Sequence, residues 1–150
     1  MAENDASYES RLVRGFCALL AAQGYGVYNG VGADLAARPI YTSYEATADA
    51  DEALWVLYRG TSDGPNGMVY VDLQVMTREL PDRSILDAVD FGAAIGNWLN
   101  PNGNPKAATT LGSVRVGQIR RTAAGALGRD SNRRPMYSQN YRTRGKRQPV

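Results

Sequence analysis

The side chains best supplied for chemistry are acids: Asp72 and Glu79, then Asp82, Asp87 and Asp90 within the next dozen residues. Converging carboxylates can hold two divalent cations for phosphodiester cleavage, given a lysine or histidine beside them to move the proton. This chain has no histidine, and its only lysines are Lys106 and Lys146, far away in sequence. Asp87 and Asp90 also fall off the apolar stripe of the helix expected there, so these acids read as a solvated helix face. The glycines of Gly24-Tyr25-Gly26 and Gly30-Val31-Gly32 lack the order of strand, glycine-rich turn and helix that a dinucleotide site needs. They read as the end of a helix followed by a loop. Cys17 sits in the run Phe16-Cys17-Ala18-Leu19-Leu20, where a thiol behaves as a small hydrophobe. With one cysteine and no histidine, neither a zinc nor an iron-sulfur site has its ligands. Catalysis, metal and cofactor are therefore not expected.

The richer signal is at the end of the chain. Residues 1–100 carry 6 basic and 14 acidic side chains, net −8; residues 101–150 carry 11 basic and 1 acidic, net +10. A small chain so divided suits repeated head-to-tail contact between copies, or capture of an anionic partner. Tyrosine and arginine anchor protein interfaces. Aromatics interleaved with basic residues also stack single-stranded bases, and ordinary packing of an edge strand is the third reading of Tyr137 and Tyr141. The candidate interface residues are Arg129, Asp130, Arg133, Arg134, Tyr137, Asn140, Tyr141, Arg142 and Arg144. Alternation along the last strand places Tyr137, Gln139 and Tyr141 on one face and Ser138, Asn140, Arg142 and Arg144 on the other. Residues 128–135, rich in turn formers and arginine, read as a protruding loop.

The elements that must position these residues follow from periodicity. The chain has 150 residues, 43% of them hydrophobic, enough for one domain with its own core. Ser7 caps a helix whose face is Leu12, Phe16, Leu19 and Leu20, closed by Gly24. Short strands are expected at 25–28 and 40–44, and a central one at 54–59. A loop is expected at 30–39 and an acidic turn at 49–52. Met68–Arg78 alternates, with Val69, Val71, Leu73 and Val75 inward and Tyr70, Asp72, Gln74 and Arg78 outward. A second helix opens at Pro81-Asp82 and buries Ile85, Val89, Gly92, Ile95 and Leu99. Strands at 114–121 and 136–144 flank a turn over 123–135. The sum is an α+β domain over 1–144, a mixed and mostly antiparallel sheet with two main helices packed on one face, followed by a flexible tail at 145–150. The acidic start of the chain reads as no signal peptide, and no apolar run approaches the ~20 residues of a membrane span.

One resemblance spans nearly the whole chain. Val114-Arg115-Val116-Gly117-Gln118-Ile119-Arg120-Arg121, then Leu127-Gly128-Arg129-Asp130, Arg134 and Ser138-Gln139-Asn140-Tyr141, resemble the tail terminator (minor capsid) proteins of long-tailed bacteriophages infecting actinobacteria. Upstream, Gly24-Tyr25-Gly26-Val27-Tyr28 and Leu73-Gln74-Val75-Met76-Thr77-Arg78 agree in order. The resemblance implies a structural virion protein with no catalytic residue or cofactor. It forms a ring with itself, usually sixfold, at the head–tail junction of a virion assembled in the host cytoplasm. The ring ends tail-tube growth and joins the tail to the head connector. Its expected partners are further copies, the tail tube protein, head-completion proteins and the genome DNA passing through, with no membrane. A nucleic-acid-binding module using the basic last third, or a head-completion protein, are the alternatives.

Overall fold

A computed structural model describes residues 6–28, 38–44 and 50–147. Helix α1 covers Tyr8–Ala22. The Ser7 hydroxyl accepts from the Ser10 N–H at 3.0 Å, supplying one of the partners a helix start lacks. Gln23 caps the other end, and Gly24 follows at φ +84°, the left-handed conformation glycine adopts without strain. Six strands follow around one more helix: β1 (Ile40–Tyr41), β2 (Ala53–Asp63), β3 (Met68–Arg78), α2 (Ile85–Leu99), β4 (Thr109–Leu111), β5 (Val114–Arg129) and β6 (Pro135–Lys146).

They form one sheet in the order β1-β2-β3-β6-β5-β4. β1 runs parallel to β2 and every other pair is antiparallel. The β3–β6 pairing at the centre runs from Met68 opposite Lys146 to Arg78 opposite Met136. The expected α+β architecture, with both helices on one face, is therefore present. Val69, Val71, Leu73 and Val75 are fully buried and share a core with Leu12, Phe16 and Leu20 of α1 and Ile95 and Leu99 of α2.

Several boundaries differ from expectation, each for a local reason. At 25–28 only Val27 bridges to Pro39, and the strand expected at 40–44 is two residues long. Most of the expected 30–39 loop, including Gly30-Val31-Gly32, and part of the 49–52 turn lie outside the described residues. Helix α2 starts at Ile85, not Pro81, because Ser84 completes a capping box with Asp87. Its inward face is Ala88, Gly92, Ile95, Gly96 and Leu99, while Ile85 and Val89 are half-buried. The shift follows from close approach: a Cβ on Gly92 would run into the Tyr137 ring, so the glycine lets the helix sit directly on β6. β5 continues through Arg129, so the turn spans only 130–134 and most of the expected 123–135 loop is strand. At the other end β6 continues through Lys146, and the Arg147 side chain binds Glu9 at 2.8 Å.

The opposite face of the sheet is divided. At one end Ala53, Trp55, Met76 and Met136 form a second small core beneath Tyr41 and Leu57. Arg78, expected outside, is fully buried there. At the other end Tyr70, Asp72 and Gln74 are half-exposed.

Candidate assembly surfaces

The β5–β6 turn is organised by one carboxylate. Asp130 Oδ1 accepts from the backbone N–H groups of Asn132 and Arg134, both at 3.0 Å, and Oδ2 accepts from Arg134 Nε at 2.8 Å. Arg78 Nη1 lies 3.6 Å from the same oxygen. Burial works against the Asp130 charge, but the hydrogen bonds from Arg134 and Asn132 outweigh it and hold the carboxyl below its ordinary value. Arg134 reaches on to Asp51 at 3.3 Å, and Arg78 donates to the Asp51 carbonyl at 3.0 Å and stacks on Trp55. The link after β3 straps the outside: Glu79 N–H donates to Pro135 O, Asp82 N–H donates to Arg133 O, and Arg133 pairs with Asp82. A sequence that reads as a protruding loop is thus a tight turn fastened to the body. Asp130 and Arg134 are committed inside it.

Along β6 the alternation holds. Tyr137, Gln139, Tyr141 and Thr143 face the helices and are buried; Asn140, Arg142 and Arg144 are exposed. Tyr141 is fully buried, packs on Phe16 at 6.1 Å between ring centroids, and donates to Gln139 Oε1 at 2.8 Å. Burial raises its phenol above the ordinary range. The two tyrosines proposed for stacking or partner contact therefore lie in the interior. Of the candidate interface residues, Arg129, Arg133, Asn140, Arg142 and Arg144 offer surface.

The acids singled out in the sequence are scattered. Asp72 binds Arg142 within its own chain through two hydrogen bonds, at 2.8 and 3.1 Å. Glu79 pairs with Arg38 at 2.9 Å, although burial still lifts its carboxyl above the ordinary value. Asp87 is spent on the α2 cap. Among the described residues no three His, Cys, Asp or Glu side chains gather where they could hold a metal. Cys17 is buried and its thiol is pushed up to about 12, so it is held protonated and unreactive.

Sequence reasoning missed the sheet's open edges. β4 covers β5 only at Val114–Val116; Lys106 bridges Ile119, and the Asn100 side chain accepts from Arg121 N–H. Beyond Arg121 nothing among the described residues pairs with that edge. Residues 122–127, Thr-Ala-Ala-Gly-Ala-Leu, are exposed. On the other side β1 covers β2 only at Leu54 and Trp55, which leaves 57–63 open among the described residues. Natural sheets blunt such edges with charge, proline or a covering segment, and 122–127 carries neither charge nor proline. That absence was the available sequence signal.

No protein-family model and no curated protein matches this sequence. Among solved structures, a chain of the "Virion of native gene transfer agent (GTA) particle" superposes with a TM-score of 0.54 at 13% identity, covering 94% of this chain and 96% of that one. This protein thus has, over nearly its whole length, the fold of a chain found in a gene transfer agent virion.

Proposed function

We propose that the protein is a structural virion subunit that forms a ring at the head–tail junction, ends tail-tube growth and joins the tail to the head connector. The observation that carries this reading is the end-to-end fold match to a virion chain. The sheet's edges support the ring. A heterologous contact uses two different surfaces and closes when the rotation permits. Here the two surfaces are the outer edges of β5 and β2, which run antiparallel to each other, so a sheet continued from copy to copy would join them as an antiparallel pair.

Their offset is also suitable. Following the pairings, Gly60 in the open part of β2 lies level with Arg142, and Ala126 in the open part of β5 lies level with Tyr137. The difference is five residues along β6, about 16 Å. Four strand spacings per copy add about 19 Å sideways. Joining one edge to the other therefore tilts the strands by roughly 40° from the ring axis, within the range of closed barrels. The helical layer takes the larger outer circumference, and the open sheet face turns toward the hole.

The deciding experiment is a phage lacking this protein. Filled heads and unjoined, often overlong tails are expected; normally joined virions refute the role. At the subunit, Ala124→Pro tests the edge. Ala124 pairs with the inward-facing Gln139, so alternation points its N–H away from β6, where proline is tolerated in an edge strand. Folded protein that no longer forms rings by negative-stain microscopy is expected. Unchanged rings would exclude this edge from the contact.

A further inference from the structure

Among the described residues six of the fifteen arginines are ion-paired within the chain. Arg38 binds Glu52 and Glu79, Arg78 and Arg134 share Asp130, Arg133 binds Asp82, and Arg147 binds Glu9. Unpaired cations gather on one surface in particular: the open end of the sheet face away from the helices. Arg142, Arg144 and Lys146 project there from β6 at every second position. Arg120 pairs across from Arg142, and Gln118 pairs across from Arg144. Arg115 and Lys146 border one shallow groove on this face, and Arg59 and Arg142 border the next. Among the described residues six cations thus meet a single carboxylate, Asp72, which Arg142 already occupies. Among the described residues Arg59, Arg115, Arg120, Arg144 and Lys146 have no acidic partner. Like charges directly opposite each other on neighbouring strands destabilise a sheet, so Arg120 beside Arg142 is a cost that Asp72 offsets on one side only and that an external anion would relieve further.

We infer that this face binds the phosphate backbone of double-stranded DNA. Alternate residues on a strand are spaced about 6.6 Å apart, a row of cations set against a duplex that carries one negative charge per about 1.7 Å of helix axis. Duplex is favoured over single strand because the stacking groups are missing. Tyr137 and Tyr141 are buried against the helices, and Tyr70, the tyrosine of β3 on this face, is half-buried beneath Arg142. Single-strand binders rely on exposed aromatics. Contacts to phosphate alone carry no sequence information, so binding is insensitive to sequence. The surface belongs to the single subunit and does not depend on ring formation; a ring repeats it around the hole.

The test is fluorescence anisotropy of the full chain with a labelled 30-base-pair duplex. About four phosphate contacts give a slope of log affinity against log salt of about −3.6, so raising salt from 50 to 200 mM weakens binding about 150-fold. Arg120→Glu with Arg144→Glu is expected to weaken binding at least tenfold and to flatten the slope by about 2. Arg115→Glu with Lys146→Glu should do the same. Arg14→Glu with Arg83→Glu, exposed positions elsewhere, removes equal charge and is expected to change affinity by less than about threefold. Three results overturn the inference: no binding at 50 mM salt, equal loss in patch and control variants, or tighter binding to single strand of the same length. A monomer that binds duplex would sink the ring and leave this inference standing.

Discussion

Replacing Asp130 by alanine separates an assembly role from a structural one. The substitution removes three hydrogen bonds at 2.8–3.0 Å and takes a carboxylate from beside two buried guanidinium groups, with Arg134 at 4% and Arg78 at 0% side-chain exposure. Taking one partner from a buried pair costs about 3–5 kcal/mol. Asp51 still faces Arg134 at 3.3 Å, which places the loss at the lower end, about 3 kcal/mol. In a urea melt with a slope of about 2 kcal/mol/M, the midpoint falls by about 1.5 M. The loss also has a pH signature. Because the folded-state pKa of Asp130 is lowered, its contribution is fully present above the ordinary aspartate value of about 3.9 and disappears as pH falls through the lower folded value. The gap between parent and variant should hold from pH 7 down to about 4 and close below that. Asp130→Asn, which keeps a side-chain acceptor, should lie between them. A variant within about 0.5 kcal/mol of the parent at pH 7, or a gap that ignores pH, would show that the turn does not depend on this carboxylate.

Two further outcomes test the core. Val71→Asp places an unpaired carboxylate at a fully buried position and should cost several kcal/mol, enough to leave insoluble or non-cooperative protein; a soluble variant with a sharp melt would mean that this face is open. Gly92→Ala adds about 1 kcal/mol of helix propensity but pushes a methyl into the Tyr137 ring, an overpacking cost of about 1–3 kcal/mol. The expected balance is a lower melting temperature, and a higher one would mean that α2 does not rest on Tyr137.

The parts legible in the sequence were those set by one dominant periodicity. The alternation of Val69, Val71, Leu73 and Val75 gave β3 to the residue, and Leu12, Phe16 and Leu20 gave the face of α1. The β5–β6 hairpin was misread where two signals conflict. Gly125, Gly128 and three alanines at 123, 124 and 126 favour a loop by composition, and only pairing with β6 makes them strand. Arg78 and Arg134 lie inside because burial of a guanidinium depends on partners distant in sequence, Asp130 and Asp51 for Arg78 and Asp51 for Arg134. The charge split between the halves was visible in composition. That the excess collects on one sheet face became apparent only through the pairing of Arg120 with Arg142.

The central pairing of β3 with β6 also governs how the chain matures. β2 and β3 form a local hairpin, but the strand that completes β3 begins at Pro135, more than fifty residues after Arg78. At about 5–20 residues per second of synthesis, the free side of a strand built on Val69, Val71, Leu73 and Val75 waits on the order of 3–12 s for its partner. Helix α2 emerges within that interval and can cover the face but not the edge. In the nascent chain the aggregation-prone edge is β3, the strand that ends up best protected, and its exposure is governed by the rate of translation through residues 79–146.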